Sequence, residues 1–255
     1  MFLREWEAWR AERLARLSAE RGWLAVVDLR FLAPGPNRVP GLPGTFTLRE
    51  GRVELEAAAG DGWTLRGEPV TRRVLATDAE PSPDLLALGG RRWVQVLARG
   101  GRRALRVWDA DAPARSAFRG VATFAPDPAW RLEARWEPYD PPREVVGTNV
   151  LGDELRQLVP GRACFDVGGR PLALEPTGDG ARLFFVFRDA TAGVETYGAG
   201  RFLDADAPRD GKVILDFNRA VNPPCAFTDF AVCPVPRPEN VLPVRIPAGE
   251  RYGSG

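Results

Sequence analysis

RRWVQVLARGGRRALRVWD, residues 91–109, holds two apolar-rich runs of similar length on either side of Arg99-Gly100-Gly101-Arg102. A Gly-Gly pair accepts the positive φ that a tight two-residue turn demands, so the stretch reads as a β-hairpin. The same texture extends outward on the N-terminal side: GWLAVVDLRFL, APGPN, GTFTLREGRVELEA, AGDG and WTLRG alternate strand-like runs with turn signals. Short strands at this spacing predict an antiparallel sandwich or a partly open barrel. On the C-terminal side, CFDVGGRPLALEP reads as a second hairpin around Gly168-Gly169, and RLFFVFRD as a strand buried on both faces. The chain is therefore expected to be mainly β.

Two segments depart from this texture. Residues 1–20 place Phe2, Trp6, Trp9, Leu14 and Leu17 on one stripe at helical spacing, which predicts an amphipathic helix packed on the fold. Residues 113–143 are rich in Pro, Asp and aromatics and read as a connector wrapping the fold. The expected organisation is an N-terminal helix (1–20), a β-rich lobe (21–112), the connector, and a second closely fused β-rich lobe (144–255) that carries the candidate site.

Composition narrows the function. The 35 basic and 34 acidic residues leave a net charge of +1, and the basic ones are dispersed, so no nucleic-acid partner is expected. No apolar run is long enough to span a membrane and the N-terminus is charged throughout, from which we expect no membrane partner and a cytoplasmic location. Lys212 is the one lysine among the basic residues. The chain contains 0 His, which removes Ser-His-Asp and Cys-His catalysis and His-ligated zinc or iron from consideration. Acid–base chemistry falls to Asp, Glu, Tyr, Cys or that lysine. No cofactor is called for, and no loop spacing supports a bound hard cation.

Two C-terminal stretches carry the polar residues that a core would not ask for. Read as a strand, VETYGAGRFLDA (194–205) puts Glu195, Tyr197 and Arg201 on one face and Val194, Thr196 and Phe202 on the other. In VILDFNRAVNPPCAF (213–227), extended by Lys212, the same parity buries Val213, Leu215 and Phe217 and projects Asp216 beside Asn218. Pro223 and Pro224 end that run and present Asn222 and Cys225 in a stiff loop. Cys225 and Cys233 lack the close pairing of zinc ligands, and an expected reducing compartment argues against a lasting disulfide between them. Cys164 reads as a small buried apolar residue.

GWL near the start, RGGRRALRVWD, TYGAGRFLDA, LDFNRAVNPPCAF and CPVPRPENVLPVRIPAGE, taken in order, resemble the bacterial family catalogued as domain of unknown function 1684. That resemblance implies boundaries and a distinctive C-terminal half, without a mechanism. FLAPGPNRVPG is also similar to the forkhead-associated sandwich, with Arg38 in the place of a phosphate-binding arginine. No Ser stands near Arg38, so the likeness implies fold alone.

Two functional expectations follow. In the first, a small polar ligand occupies a C-terminal pocket of a His-independent hydrolase: Asp216 or Glu195 is the general base, Arg201 holds an anionic or carbonyl group, and Tyr197, Asn218, Asn222, Cys225 and Glu250 bind the ligand. In the second, the chain is a non-catalytic β-sandwich binding or interaction protein, and the same residues form a structural network.

Overall fold

The computed structural model describes residues 1–178 and 181–253. The chain is mainly β and begins with helix α1 (Phe2–Ser18). It divides into two compact units: residues 15–119 with 228–231, and residues 1–14 with 120–227 and 232–255. No helix among the described residues is long and apolar enough to cross a membrane.

The first unit contains ten strands: β1 (Val26–Phe31), β2 (Gly35–Asn37), β3 (Thr45–Arg49), β4 (Arg52–Glu56), β5 (Trp63–Leu65), β6 (Glu68–Pro69), β7 (Arg72–Leu75), β8 (Leu85–Leu88), β9 (Arg92–Arg99) and β10 (Arg102–Asp109). They form two antiparallel sheets, ordered β1-β10-β9-β8-β5-β6 and β2-β3-β4-β7. The 91–109 hairpin forms as the sequence predicts, with Arg99 opposite Arg102 and Gly100 and Gly101 both at positive φ. Period-two burial then decides the packing. Leu86, Val94, Val96, Leu105 and Val107 from the larger sheet meet Phe46, Val53 and Leu55 from the smaller one in a single core, which makes this unit a sandwich.

One carboxylate is drawn into that sandwich. Asp84, with its side chain 2% exposed, pairs with Arg73 at 3.0 Å and accepts from the Ala76 N–H at 3.0 Å. Burial alone would raise its pKa, but those two donors outweigh burial and hold it below the ordinary carboxylate value. A depressed folded pKa gives stabilisation that is complete above the ordinary Asp value of about 3.9 and is lost as pH falls from there through the folded value. Asp84→Asn is expected to cost about 1–3 kcal/mol at neutral pH and much less near pH 2, measured by urea denaturation across the acid range. An equal cost at both pH values would refute this.

The second unit contains β11 (Arg131–Thr148), β12 (Glu154–Val167), β13 (Arg170–Leu174), β14 (Arg182–Phe187), β15 (Arg201–Asp206) and β16 (Lys212–Asp216). Four of them form an antiparallel sheet ordered β13-β12-β11-β16, and β14 pairs with β15. The Gly168-Gly169 hairpin forms, with Val167 opposite Arg170. Residues 131–143 differ from the expected connector, for they belong to strand β11. The prolines of PYDPP explain the misreading: pairing with β12 lapses between Pro138 and Arg143, because a proline has no N–H to give the ladder, and then resumes to Thr148. The core of this unit is built on Phe165, Phe185, Phe187, Leu203, Leu215 and Phe217, all buried.

Candidate functional site

The polar residues singled out in the C-terminal half all lie in this second unit, and local geometry departs from simple strand parity at two places. VETYGAG is not a strand. Pairing begins at Arg201, after a turn in which the Thr191 hydroxyl meets both the Asp189 carboxylate (2.9 Å) and the Thr196 hydroxyl (2.9 Å). Gly200 sits at φ 101°, and a Cβ there would come within 2.5 Å of the Phe187 carbonyl oxygen, so only glycine lets the chain enter β15 this closely. The consequence is a correction: Glu195, Tyr197 and Arg201 do not share a face. Glu195 pairs with the half-exposed Arg245 at 2.5 Å, whereas the Tyr197 hydroxyl donates to the Cys225 carbonyl at 3.2 Å and its ring packs edge-on against Tyr252.

Arg201 turns inward beside Leu203 and Ala205, all three buried on alternate positions of β15. It is 1% exposed. Its guanidinium pairs with Asp189 at 3.1 Å, donates to the Ile246 carbonyl at 3.0 Å and to the Ala248 carbonyl, and lies over the Phe187 ring. Burial lowers its pKa, while Asp189 and Glu250 act in the opposite sense. Asp189 in turn accepts from the Ile246 N–H at 2.7 Å. This pair therefore ties the end of β14 and the start of β15 to the 246–248 segment.

The second departure is at Phe217. Strand β16 ends at Asp216, and Phe217–Arg219 form a 3-10 turn instead of continuing it. Val213, Leu215 and Phe217 are buried as parity expects. Asp216 and Asn218, however, do not form an open platform: Asp216 caps the turn, accepting from the Asn218 N–H at 3.2 Å and from its Nδ2 at 3.0 Å. Arg219 stands 3.4 Å from the same carboxylate. Asn218 also clasps the backbone of Asp127, donating to its carbonyl at 2.9 Å and accepting its N–H at 2.9 Å, and the Trp6 indole donates to the Asn218 carbonyl.

Asn222, in the loop that follows that turn, meets Glu250. The Glu250 carboxylate, 2% exposed with its residue, accepts from the Asn222 N–H at 2.6 Å and pairs with Arg13 of α1 at 2.9 Å. Arg13 donates onward to the Asn222 carbonyl, and Asn222 Nδ2 to the Arg251 carbonyl. The remaining oxygen, Asn222 Oδ1, is buried without a hydrogen bond.

Cys225 and Cys233 form a disulfide, contrary to the expectation drawn from compartment. The loop chemistry accounts for their approach. Pro223 and Pro224 start a one-turn 3-10 helix over Pro224–Ala226 that brings the two Cα atoms to 6.3 Å, inside the range a disulfide requires. Thiol titration of the unfolded, unreduced protein should count one free thiol, Cys164. Closing so short a loop is worth about 2–3 kcal/mol by chain entropy, so Cys225→Ser or reduction should lower stability by that order. A count of three thiols would contradict the pairing.

Sequence reasoning missed the partners: Arg13, Asp127, Asp189 and Arg237. Asp189 left a usable signal, since one residue separates it from the apolar strand β14 and a carboxylate drawn in there needs a cation. A comparable knot lies nearby, where Glu175 accepts from Tyr139 (2.7 Å) and pairs with Arg237 (2.6 Å), and Asn240 clasps the Glu175 backbone. Among the described residues no group of three or more Cys, Asp or Glu side chains is arranged to hold a metal ion.

Comparison with known proteins gives two findings. The profile of a family described as "Protein of unknown function (DUF1684)" matches residues 116–251. A solution NMR structure of the uncharacterised protein from gene locus rrnAC0354 of Haloarcula marismortui is 34% identical, covers 54% of this chain and 78% of that one, and has a TM-score of 0.45. No curated protein matches the chain.

Proposed function

The chain belongs to the family described as a protein of unknown function (DUF1684), and we propose that it is a non-catalytic β-sandwich binding protein whose C-terminal polar residues hold the fold. The observation that carries this reading is Arg201: at 1% exposure, paired with Asp189 and two backbone carbonyls, its guanidinium offers a substrate no approach. The same logic runs through Asp216, Asn218 and Glu250, whose polar atoms are spent on turns and on Arg13. In this reading the removal of one partner costs stability and nothing else. Asp216→Asn and Glu250→Gln are expected to lower the unfolding free energy by about 1–3 kcal/mol and to leave ligand-induced thermal shifts in a metabolite screen unchanged.

A second reading keeps the small-polar-ligand pocket of a His-independent hydrolase, with Asp216 or Glu195 as base and Tyr197, Asn222 and Cys225 beside it. It is favoured by two candidate-site atoms that are buried without a hydrogen bond, Asn222 Oδ1 and Arg201 Nε. Under that reading a metabolite stabilises the wild type, and the shift disappears in both Asn222→Ala and Asp216→Asn while the fold survives. That outcome would replace the first reading.

A further inference from the structure

Thr228–Ala231, inside the loop that Cys225 and Cys233 close, are counted with the first unit. Phe230 at the tip packs with Trp23, Leu85 and Trp93 against the buried cluster of Ala25, Val26 and Trp108. Its own N–H is satisfied within the loop, by the Thr228 hydroxyl at 3.2 Å, so what Phe230 adds there is apolar contact. The two ends of the loop are fixed by hydrogen bonds instead. The Tyr197 hydroxyl donates to the Cys225 carbonyl at 3.2 Å, and the Val150 N–H to the Cys233 carbonyl at 2.9 Å. The ends are therefore anchored apart from the disulfide, whereas the freedom of the tip depends on it, because closing the ring restricts every residue between the sulfurs.

The two sulfurs are not equivalent. Cys233 is buried, at 4% exposure, whereas Cys225 is half-buried. The Cys225 N–H donates to the Cys233 sulfur at 3.3 Å. Thiol–disulfide exchange needs one sulfur that an attacking thiolate can reach and another that can leave carrying charge. Cys225 meets the first requirement, and the N–H donor, which stabilises a thiolate, gives Cys233 the second. We propose that the Cys225–Cys233 disulfide is a redox clasp, opened by a dithiol that attacks Cys225 Sγ, and that opening it releases Phe230 from its cluster. In the first step a thiolate of the dithiol bonds to Cys225 Sγ, the S–S bond breaks and Cys233 leaves as the thiolate. The second thiol of the reductant, also as a thiolate, then displaces Cys225. The dithiol ends as a disulfide, and the protein has gained two electrons and, once both thiolates are protonated, two protons. The clasp is closed under oxidising conditions and open under reducing ones, whichever role the C-terminal polar residues play.

The test treats the intact oxidised chain with dithiothreitol under native conditions. Thiols are counted over time by alkylation and mass spectrometry, and amide exchange is mapped before and after reduction. The expected rate is proportional to dithiol concentration and unchanged by sub-denaturing urea, since no unfolding is needed to reach Cys225. Exchange at the Phe230 and Ala231 amides should then rise more than about ten-fold, while β9, β14 and β16 remain protected. The double variant Cys225→Ser with Cys233→Ser should show the same pattern without reductant. With glutathione as the thiol, and an alkylating agent to trap Cys233, the adduct is expected on Cys225. Reduction only in the unfolded protein, an adduct confined to Cys233, or tip exchange unchanged by reduction would each overturn the clasp. Loss of protection throughout the chain would overturn it too, and would make the disulfide a structural staple alone.

Discussion

Arg201→Met is expected to lower the unfolding free energy by about 3–5 kcal/mol, read from urea denaturation at neutral pH. The size follows from what remains behind. Asp189 stays buried and loses its cation, and the carbonyls of Ile246 and Ala248 lose their donor. The hydrophobic gain from a methionine of similar length beside Phe187 offsets only part of this, because a buried carboxylate left without its cation costs more than the added apolar contact returns. Asp189→Asn should cost less, for an amide can still meet the Thr191 hydroxyl and the guanidinium. If Arg201→Met unfolds at the same urea concentration as the wild type, the pair does not hold the unit together.

Phe217→Ala should cost a comparable amount, about 3–5 kcal/mol. The ring is fully buried and packs on Phe165 and Phe187 at centroid distances of 5.7 and 5.5 Å, in tilted and edge-on arrangements. It also anchors the 3-10 turn that Asp216 caps, so the cavity cannot close without moving Asn218 off Asp127. Phe217→Leu keeps much of the volume and should recover more than half of the loss. Equal losses for Ala and Leu would show that filled volume is not what the position needs, and would assign the loss to the specific ring contacts with Phe165 and Phe187.

How much of this was legible depends on how local the cause is. The 91–109 hairpin and the 168–169 hairpin could be read because glycine pairs and period-two patterns sit within a few residues of what they determine. The burial of Val213, Leu215 and Phe217 could be read for the same reason. Strand parity failed where a strand stopped sooner than its apolar pattern did. Gly200 delays β15 until Arg201, and a 3-10 turn replaces the strand at Phe217, where Asp216 is spent on capping Asn218. The ion-pair partners were out of reach for another reason: Arg13 meets Glu250 from 237 positions away, and Asn218 clasps Asp127 from 91, separations that only tertiary packing sets. Prolines in β11 misled in the opposite direction, since they interrupt a ladder without ending the strand.

A structural role for the buried charges is tested most sharply by a double-mutant cycle on Arg201 and Asp189. Arg201→Met, Asp189→Leu and the double variant are compared with the wild type by urea denaturation, which isolates the coupling between the two side chains. The expected coupling is about 2 kcal/mol or more, with the double variant markedly more stable than the sum of the single losses allows, because neither charge is left buried alone. Strictly additive losses, with the single variants stable yet defective in turning over a metabolite, would contradict that role and return Arg201 to a catalytic one.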